Sequence, residues 1–161
     1  MAKYKIADIG KAAYGAKKIE WAWQYMPSLS FLENKYKASQ PFKGVTVAAC
    51  LHLEAKTACL LLTLSRLGAT VAACGSNPLS TQDDICAALA EKGVHVFSHR
   101  GMTPEEYSGY VRDVLDFKPE VIIDDGADVV ALLHKEYQHL IPGIKGASEE
   151  TTSGVKRLKA M

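Results

Sequence analysis

Four short clusters hold most of the residues in this chain that could do acid–base or ligand-binding chemistry. They are His52-Leu53-Glu54-Ala55-Lys56-Thr57, Ser76-Asn77-Pro78-Leu79-Ser80-Thr81-Gln82-Asp83-Asp84, Asp124-Asp125-Gly126-Ala127-Asp128, and Glu149-Glu150-Thr151-Thr152-Ser153-Gly154. Together they supply one imidazole, an ammonium, several carboxylates and many hydroxyls. Each also has a purely structural explanation. Thr81-Gln82-Asp83-Asp84 suits a helix start, with a hydroxyl cap and acids in the first turn, and Asp128 suits a cap as well. His52 alone is more often a satisfied polar group at a strand end than a catalyst. Asp124 and Asp125, as successive strand residues, face opposite ways, so they should not share a proton. One can point at a ligand while the other anchors backbone. Thr151-Thr152-Ser153-Gly154 offers hydroxyls and free amides at a helix N-terminus, suited to polar or anionic groups.

The elements that must position these clusters follow from a unit repeated about every two dozen residues after Lys43-Gly44: a short β-branched or apolar run, a turn, then a helical stretch. Strands are expected at Thr46–Leu51, Thr70–Cys74, Val94–Ser98 and Glu120–Asp124, with a fifth around Ile144–Ser148. Helices are expected over Glu54–Leu67, Thr81–Lys92, Thr103–Phe117, Asp128–Tyr137 and from about Thr151. Gly68 and Gly93 stand just past two of them, where a left-handed residue ends a helix. Two helices precede this part. One lies around Ile19–Tyr25, and the second is capped by Ser28 or Ser30 and ends before Pro41; both should pack against the sheet. The pattern is α/β: a Rossmann-like parallel sheet with helices on both faces. Ligands of such sheets bind beyond the carboxyl ends of the strands, and all four clusters fall there.

The bulk properties narrow the function. The 161 residues fit one domain, 48% apolar and 23% charged, with a formal net charge of +1. The cations are scattered, which points away from nucleic acid. Cys50, Cys59, Cys74 and Cys86 lie singly in apolar runs, as buried free cysteines do, and imply a reducing, cytoplasmic setting with no metal site. Residues 1–13 lack the apolar stretch of a signal peptide, and no run is long enough to span a bilayer.

Ser80-Thr81-Gln82-Asp83, Asp124-Asp125-Gly126, Glu149-Glu150-Thr151-Thr152 with Gly154-Val155, Tyr4-Lys5-Ile6-Ala7-Asp8-Ile9 and Pro142-Gly143-Ile144-Lys145-Gly146 resemble, in order and spacing, the substrate-binding part of S-adenosyl-L-homocysteine hydrolases. The resemblance covers essentially the whole chain. It implies one substrate-binding domain over 1–161, with N-terminal helices over 1–43 and an α/β part over 44–161. The family's NAD-binding domain is absent from this chain, which holds no Gly-x-Gly-x-x-Gly after a strand. In the family, NAD oxidises the ribose 3′-hydroxyl to a ketone, homocysteine leaves from C5′, water adds, and the ketone is reduced back. The complete protein would be a homo-oligomer acting on S-adenosylhomocysteine, and this chain alone would be inactive.

Carried over by resemblance, His52 serves the leaving sulfur and incoming water, and Asp125 belongs to the proton-transfer group. Glu150 holds the ribose hydroxyls. Thr151, Thr152 and Ser153 touch NAD, with Ser153 in place of the usual Thr. Ala127 replaces a usual Gly. Glu54, Lys56 and Thr57 stand where many members read the purine with a Thr and an acid. Here the run resembles archaeal and deep-branching bacterial members, some of which prefer S-inosylhomocysteine. Two alternatives therefore stand beside the adenosyl enzyme: an S-inosyl-L-homocysteine hydrolase, and a non-catalytic nucleoside-binding regulator. Glu54 and Lys56 could also simply pair within the first helical turn.

Overall fold

The computed structural model describes residues 3–161; Met1 and Ala2, part of the N-terminal stretch considered above, lie outside the described residues. Among the described residues, the elements run β1 (Tyr4–Lys5), α1 (Ala12–Trp23), α2 (Pro27–Tyr36), β2 (Thr46–Leu51), α3 (Ala55–Arg66), β3 (Thr70–Gly75), α4 (Asp83–Glu91), β4 (His95–Phe97), α5 (Pro104–Leu115), β5 (Val121–Asp124), α6 (Asp128–Glu136), β6 (Gly146–Glu149) and α7 (Thr152–Ala160). The six strands form a parallel sheet in the order β1-β4-β3-β2-β5-β6. From β2 the chain winds outward through β3 and β4, then returns to the other side for β5 and β6. The winding direction therefore reverses between β2 and β5. At that switch point neighbouring connections diverge and leave a crevice.

Side-chain alternation builds the two faces. Val47, Ala49, Leu51, Val71 and Ala73 pack with Leu61, Ile85 and Leu89 of α3 and α4. Ala48, Cys50, Ala72, Cys74 and Ile122 pack with Val111, Val114 and Val129 of α5 and α6. The fully buried alanines 48, 49, 72 and 73 let helices approach the central strands closely on both sides. All four cysteines are buried and unpaired, and burial pushes the Cys86 thiol up to about 12.

Three expectations are corrected. The N-terminal helices pack mainly on other helices rather than on strands: α1 on α3 and α4, and α2 on α3. Gly15 permits this, because a Cβ there would fall 1.9 Å from the Asp84 carbonyl oxygen of α4. Second, α2 starts at Pro27, with Met26 as its uncapped N-cap residue. Proline's fixed φ and missing N–H suit a first helical position, so neither Ser28 nor Ser30 caps it. Third, the last strand lies at Gly146–Glu149, displaced because Ile144 ends a preceding 3-10 turn. β1 was not anticipated; two residues are too few for a periodic signal, and the strand exists by pairing with the edge of β4.

Candidate active site at the switch point of the sheet

His52 and Asp125 each lie one residue beyond a strand end, on the two strands that flank the switch point. Their side chains meet: His52 Nε2 is 3.2 Å from Asp125 Oδ2. The imidazole is about half exposed at 47%, whereas the carboxylate is only 11% exposed. The pair thus presents its histidine to whatever occupies the crevice. Two serines of the β3–α4 loop support it. Ser76 Oγ donates to Asp125 Oδ2 at 2.8 Å, and Ser80 Oγ lies 2.5 Å from His52 Nδ1. Sequence reasoning placed these serines in a polar cluster without giving them a role. Only the folded contact distinguishes them from their neighbours.

The two aspartates of Asp124-Asp125 divide as strand alternation requires. Asp124 is fully buried, and its carboxylate accepts from the amides of Asp125 (3.1 Å) and Val130 (3.0 Å). Burial pushes its carboxyl up to about 6 despite those amides.

Glu149, not singled out in the sequence, ties two turns together. Its Oε1 accepts from Gly126 N, Thr151 N and Thr151 Oγ1 at 2.7–2.9 Å, and its Oε2 from Ala127 N at 2.9 Å. Burial opposes its charge, but these donors outweigh burial and hold the carboxyl below its ordinary value. Gly126 (φ 97°) and Ala127 (φ 63°) both have positive φ, which turns their successive N–H groups to one side to form an anion-binding concavity. A glycine is the low-cost residue there, and Ala127 carries the strain of a Cβ. Gly154 completes the clasp, since a Cβ on it would meet Glu149 Oε1 at 2.1 Å. The signal in the sequence was the acid beside two glycines, one on each turn.

Glu150 faces the other way, into a cleft of about 550 Å³ whose lining includes Leu51 and Ile123, the residues just before His52 and Asp124 in the chain. Leu51, Leu60 and Ile123 floor this cleft, and Lys56 and Thr57 share its rim with Glu150. Its size and its few polar groups over an apolar floor suit a small aromatic ligand. Glu54 is set apart. Its carboxylate caps α3, accepting from Lys56 N and Thr57 N, both at 2.9 Å, and it does not line the cleft. Thr151 caps α7 by accepting from Gly154 N at 2.9 Å, and also takes a hydrogen bond from Ser153 Oγ. With its donation to Glu149, its hydroxyl is fully engaged. Thr152 and Ser153 stand exposed at the start of α7.

Two helix starts differ from expectation. Gln82 rather than Thr81 is the N-cap residue of α4; Thr81 is buried and donates to the Asn77 carbonyl. Asp128 is the first residue of α6 and not its cap. It accepts from Tyr107 OH at 2.6 Å and pairs with Arg157. A hollow of about 610 Å³ between α1 and α4 is less suited to a ligand, because most of its charges pair internally, Lys11 with Asp83 and Lys18 with Asp84, while the Arg100 guanidinium donates to the Leu79 carbonyl. Among the described residues, no His/Cys/Asp/Glu group could hold a metal ion, and no helix is long and apolar enough to cross a membrane.

Comparison with known proteins adds a second line of argument. The family model of S-adenosyl-L-homocysteine hydrolase matches residues 3–139. The chain is 54% identical over 158 residues to the adenosylhomocysteinase of Pyrococcus abyssi, covering 98% of this chain and 37% of that protein. It is 55% identical to the adenosylhomocysteinase of Thermococcus kodakarensis over 98% of this chain and 38% of that one. It is also 51% identical to the S-inosyl-L-homocysteine hydrolase of Methanocaldococcus jannaschii, again over 98% of this chain and 38% of the relative. The chain thus spans well under half the length of the curated relatives it matches.

Proposed function

The chain belongs to the S-adenosyl-L-homocysteine hydrolase family, and from that premise we propose that it supplies the nucleoside-binding and acid–base part of an NAD-dependent hydrolase of S-adenosyl-L-homocysteine. The observation that carries this reading is the His52–Asp125 contact at the switch point, with an apolar cleft that holds Glu150 and the strand-end residue Leu51. The N-terminal helices and residues 44–161 act as one substrate-binding unit. The purine lies on Leu51, Leu60 and Ile123, and Glu150 accepts hydrogen bonds from the ribose hydroxyls. His52, steadied by Asp125, gives a proton to the sulfur leaving C5′ and takes one from the water that replaces it.

NAD, when bound, accepts and returns the hydride of the ribose 3′-carbon. The donor set at the start of α7 fits such a group. The first-turn amides of Thr152 and Ser153 have no partner among the described hydrogen bonds, and both hydroxyls are exposed. Thr152 and Ser153 would hold the cofactor from this side, while Thr151 holds the turn that presents them.

A second reading concerns the base. The Glu54 carboxylate is committed to its own helix, which leaves the Lys56 ammonium as the charged group of α3 on the cleft. An ammonium is donor-only and suits the C6 carbonyl of hypoxanthine, whereas adenine offers an amino donor there. This favours an inosyl substrate. Exposed Trp21 on α1, Tyr25 in the turn after it and Phe31 on α2 give apolar surface for subunit contacts in a homo-oligomer, and four unpaired cysteines suit the cytoplasm.

The test is an NMR titration of the 161-residue chain with adenosine and with inosine. Shifts centred on His52, Asp125 and Glu150 are expected, together with no release of homocysteine from either thioether by the chain alone when NAD is supplied. Shifts confined to the hollow between α1 and α4, or turnover by the chain alone, would overturn the assignment.

A further inference from the structure

The turn that follows Asp125 is held from both sides by the unit made of β6 and α7. On one side Glu149 accepts from Gly126 N at 2.8 Å and from Ala127 N at 2.9 Å. On the other, Arg157 Nη1 donates to the Gly126 carbonyl oxygen at 3.0 Å. The same nitrogen pairs with Asp128 Oδ1 at the start of α6. Glu149 alone accounts for the turn's N–H groups, and the grip on its carbonyl is a separate one.

The use of a second grip follows from how little of α7 is packed. Of the helix, only Gly154 is buried, and Leu158 lies half-buried against the α5 and α6 side of the core. Glu149 and Thr151 fix the point where the helix begins. A helix held only at its first turn can swing about that point. Arg157 stands about 9 Å beyond Thr151 along the axis, and its side chain returns to the turn after Asp125. That second attachment removes the swing. Asp128 cannot drift with the helix, because Tyr107 OH of α5 donates to its other oxygen at 2.6 Å. Burial pushes the Tyr107 phenol up, so it keeps its proton and remains the donor. An ion pair as exposed as Arg157–Asp128 adds little to stability. What it supplies is direction.

We propose that Arg157 is a positioning residue, which fixes the angle of α7 and so holds Thr152 and Ser153 at a constant offset from Asp125. The inference rests on the reading of Thr152 and Ser153 as the residues that hold the cofactor. It adds that the cofactor-facing helix start and the acid–base aspartate are registered through one turn, as the alignment of reacting groups demands.

The experiment compares wild type, Arg157→Met and Arg157→Lys in the whole protein freed of NAD. Arg157→Met should raise the Kd for NAD by about fivefold, the scale of one hydrogen bond. The Kd for inosine should not change, because Arg157 does not line the cleft. Arg157→Lys keeps the charge and should restore part of the loss. Unchanged NAD affinity in Arg157→Met would overturn the proposal. So would equal weakening of NAD and inosine together with a lower melting temperature, which is the mark of a merely structural residue. If Arg157→Met fails to fold, wild type decides by ¹⁵N NMR of the 161-residue chain. Its Arg157 guanidinium should rotate slowly enough to give resolved Nη signals, and freely averaged signals would overturn the proposal. A wild type that binds no NAD would sink the reading of the site as well, whereas one that binds it as tightly as Arg157→Met sinks this inference alone.

Discussion

Asp124 and Glu149 sit opposite one another in register on β5 and β6, and both carboxylates turn back onto backbone amides. They nonetheless lean in opposite directions. Asp124 is fully buried with two amide donors and is raised to about 6. Glu149 is less enclosed, has four donors, and is held below its ordinary value. Donors outnumber the cost of burial in one case and fall short in the other.

A pH dependence of stability follows from the first of these. Asp124 binds its proton more tightly folded than unfolded, so ionising it costs stability above about pH 6. That cost is relieved as pH falls from about 6 towards 3.8. A gap of roughly two pKa units corresponds to on the order of 3 kcal/mol. Glu149 acts the other way, with stabilisation present above 4.5 and lost as pH falls through its lowered folded value. His95, whose imidazole burial holds below its ordinary value, also loses stability on acidification. Urea unfolding between pH 7 and 4 should therefore be compared with Asp124→Asn, which mimics the protonated acid. The wild type should gain relative to the variant as pH falls through 6, and a constant difference would refute the assignment.

Glu149→Gln should destabilise the chain by about 1–3 kcal/mol, the usual cost of removing one acceptor from a charge-assisted set. The amide nitrogen would face the Ala127 N–H in place of Oε2. Gly154→Ala attacks the same clasp from the other side, because its Cβ would enter the space of Glu149 Oε1. Urea midpoints of both variants below wild type would bear this out.

Asp125→Asn keeps the shape of the side chain and an acceptor for Ser76. In the whole protein it should lower kcat by about a hundredfold or more, while the melting temperature stays within about 4 °C of wild type. An unchanged kcat with a large drop in melting temperature would return Asp125 to a structural role.

Lys56→Glu tests the base. If the ammonium reads C6, the whole protein accepts the inosyl substrate at least as well as the adenosyl one. The substitution should then shift the kcat/KM ratio towards adenosyl by about tenfold or more. The stability of α3 should hardly change, because Glu54 accepts from the backbone amide of Lys56 and not from its side chain. A ratio that does not move would show that Lys56 does not read the base.

Local periodicity and turn chemistry were enough to define much of this protein. β2 runs over Thr46–Leu51 as its β-branched and apolar run implies, and Gly68 and Gly93 both take positive φ just past their helices. The opposite facing of Asp124 and Asp125 follows from the two-residue period of β5 carried one residue past its end. The family too is legible in the ordered motifs. Tertiary structure decided which ends meet. His52 and Asp125 are far apart in sequence and become partners only because the crossover order sets β2 beside β5. Sequence could place Glu54, Glu149 and Glu150 at strand ends but not divide them into helix cap, turn clasp and cleft wall. Those roles depend on which amides each carboxylate can reach, and that is a property of the assembled sheet and its helices rather than of any single segment.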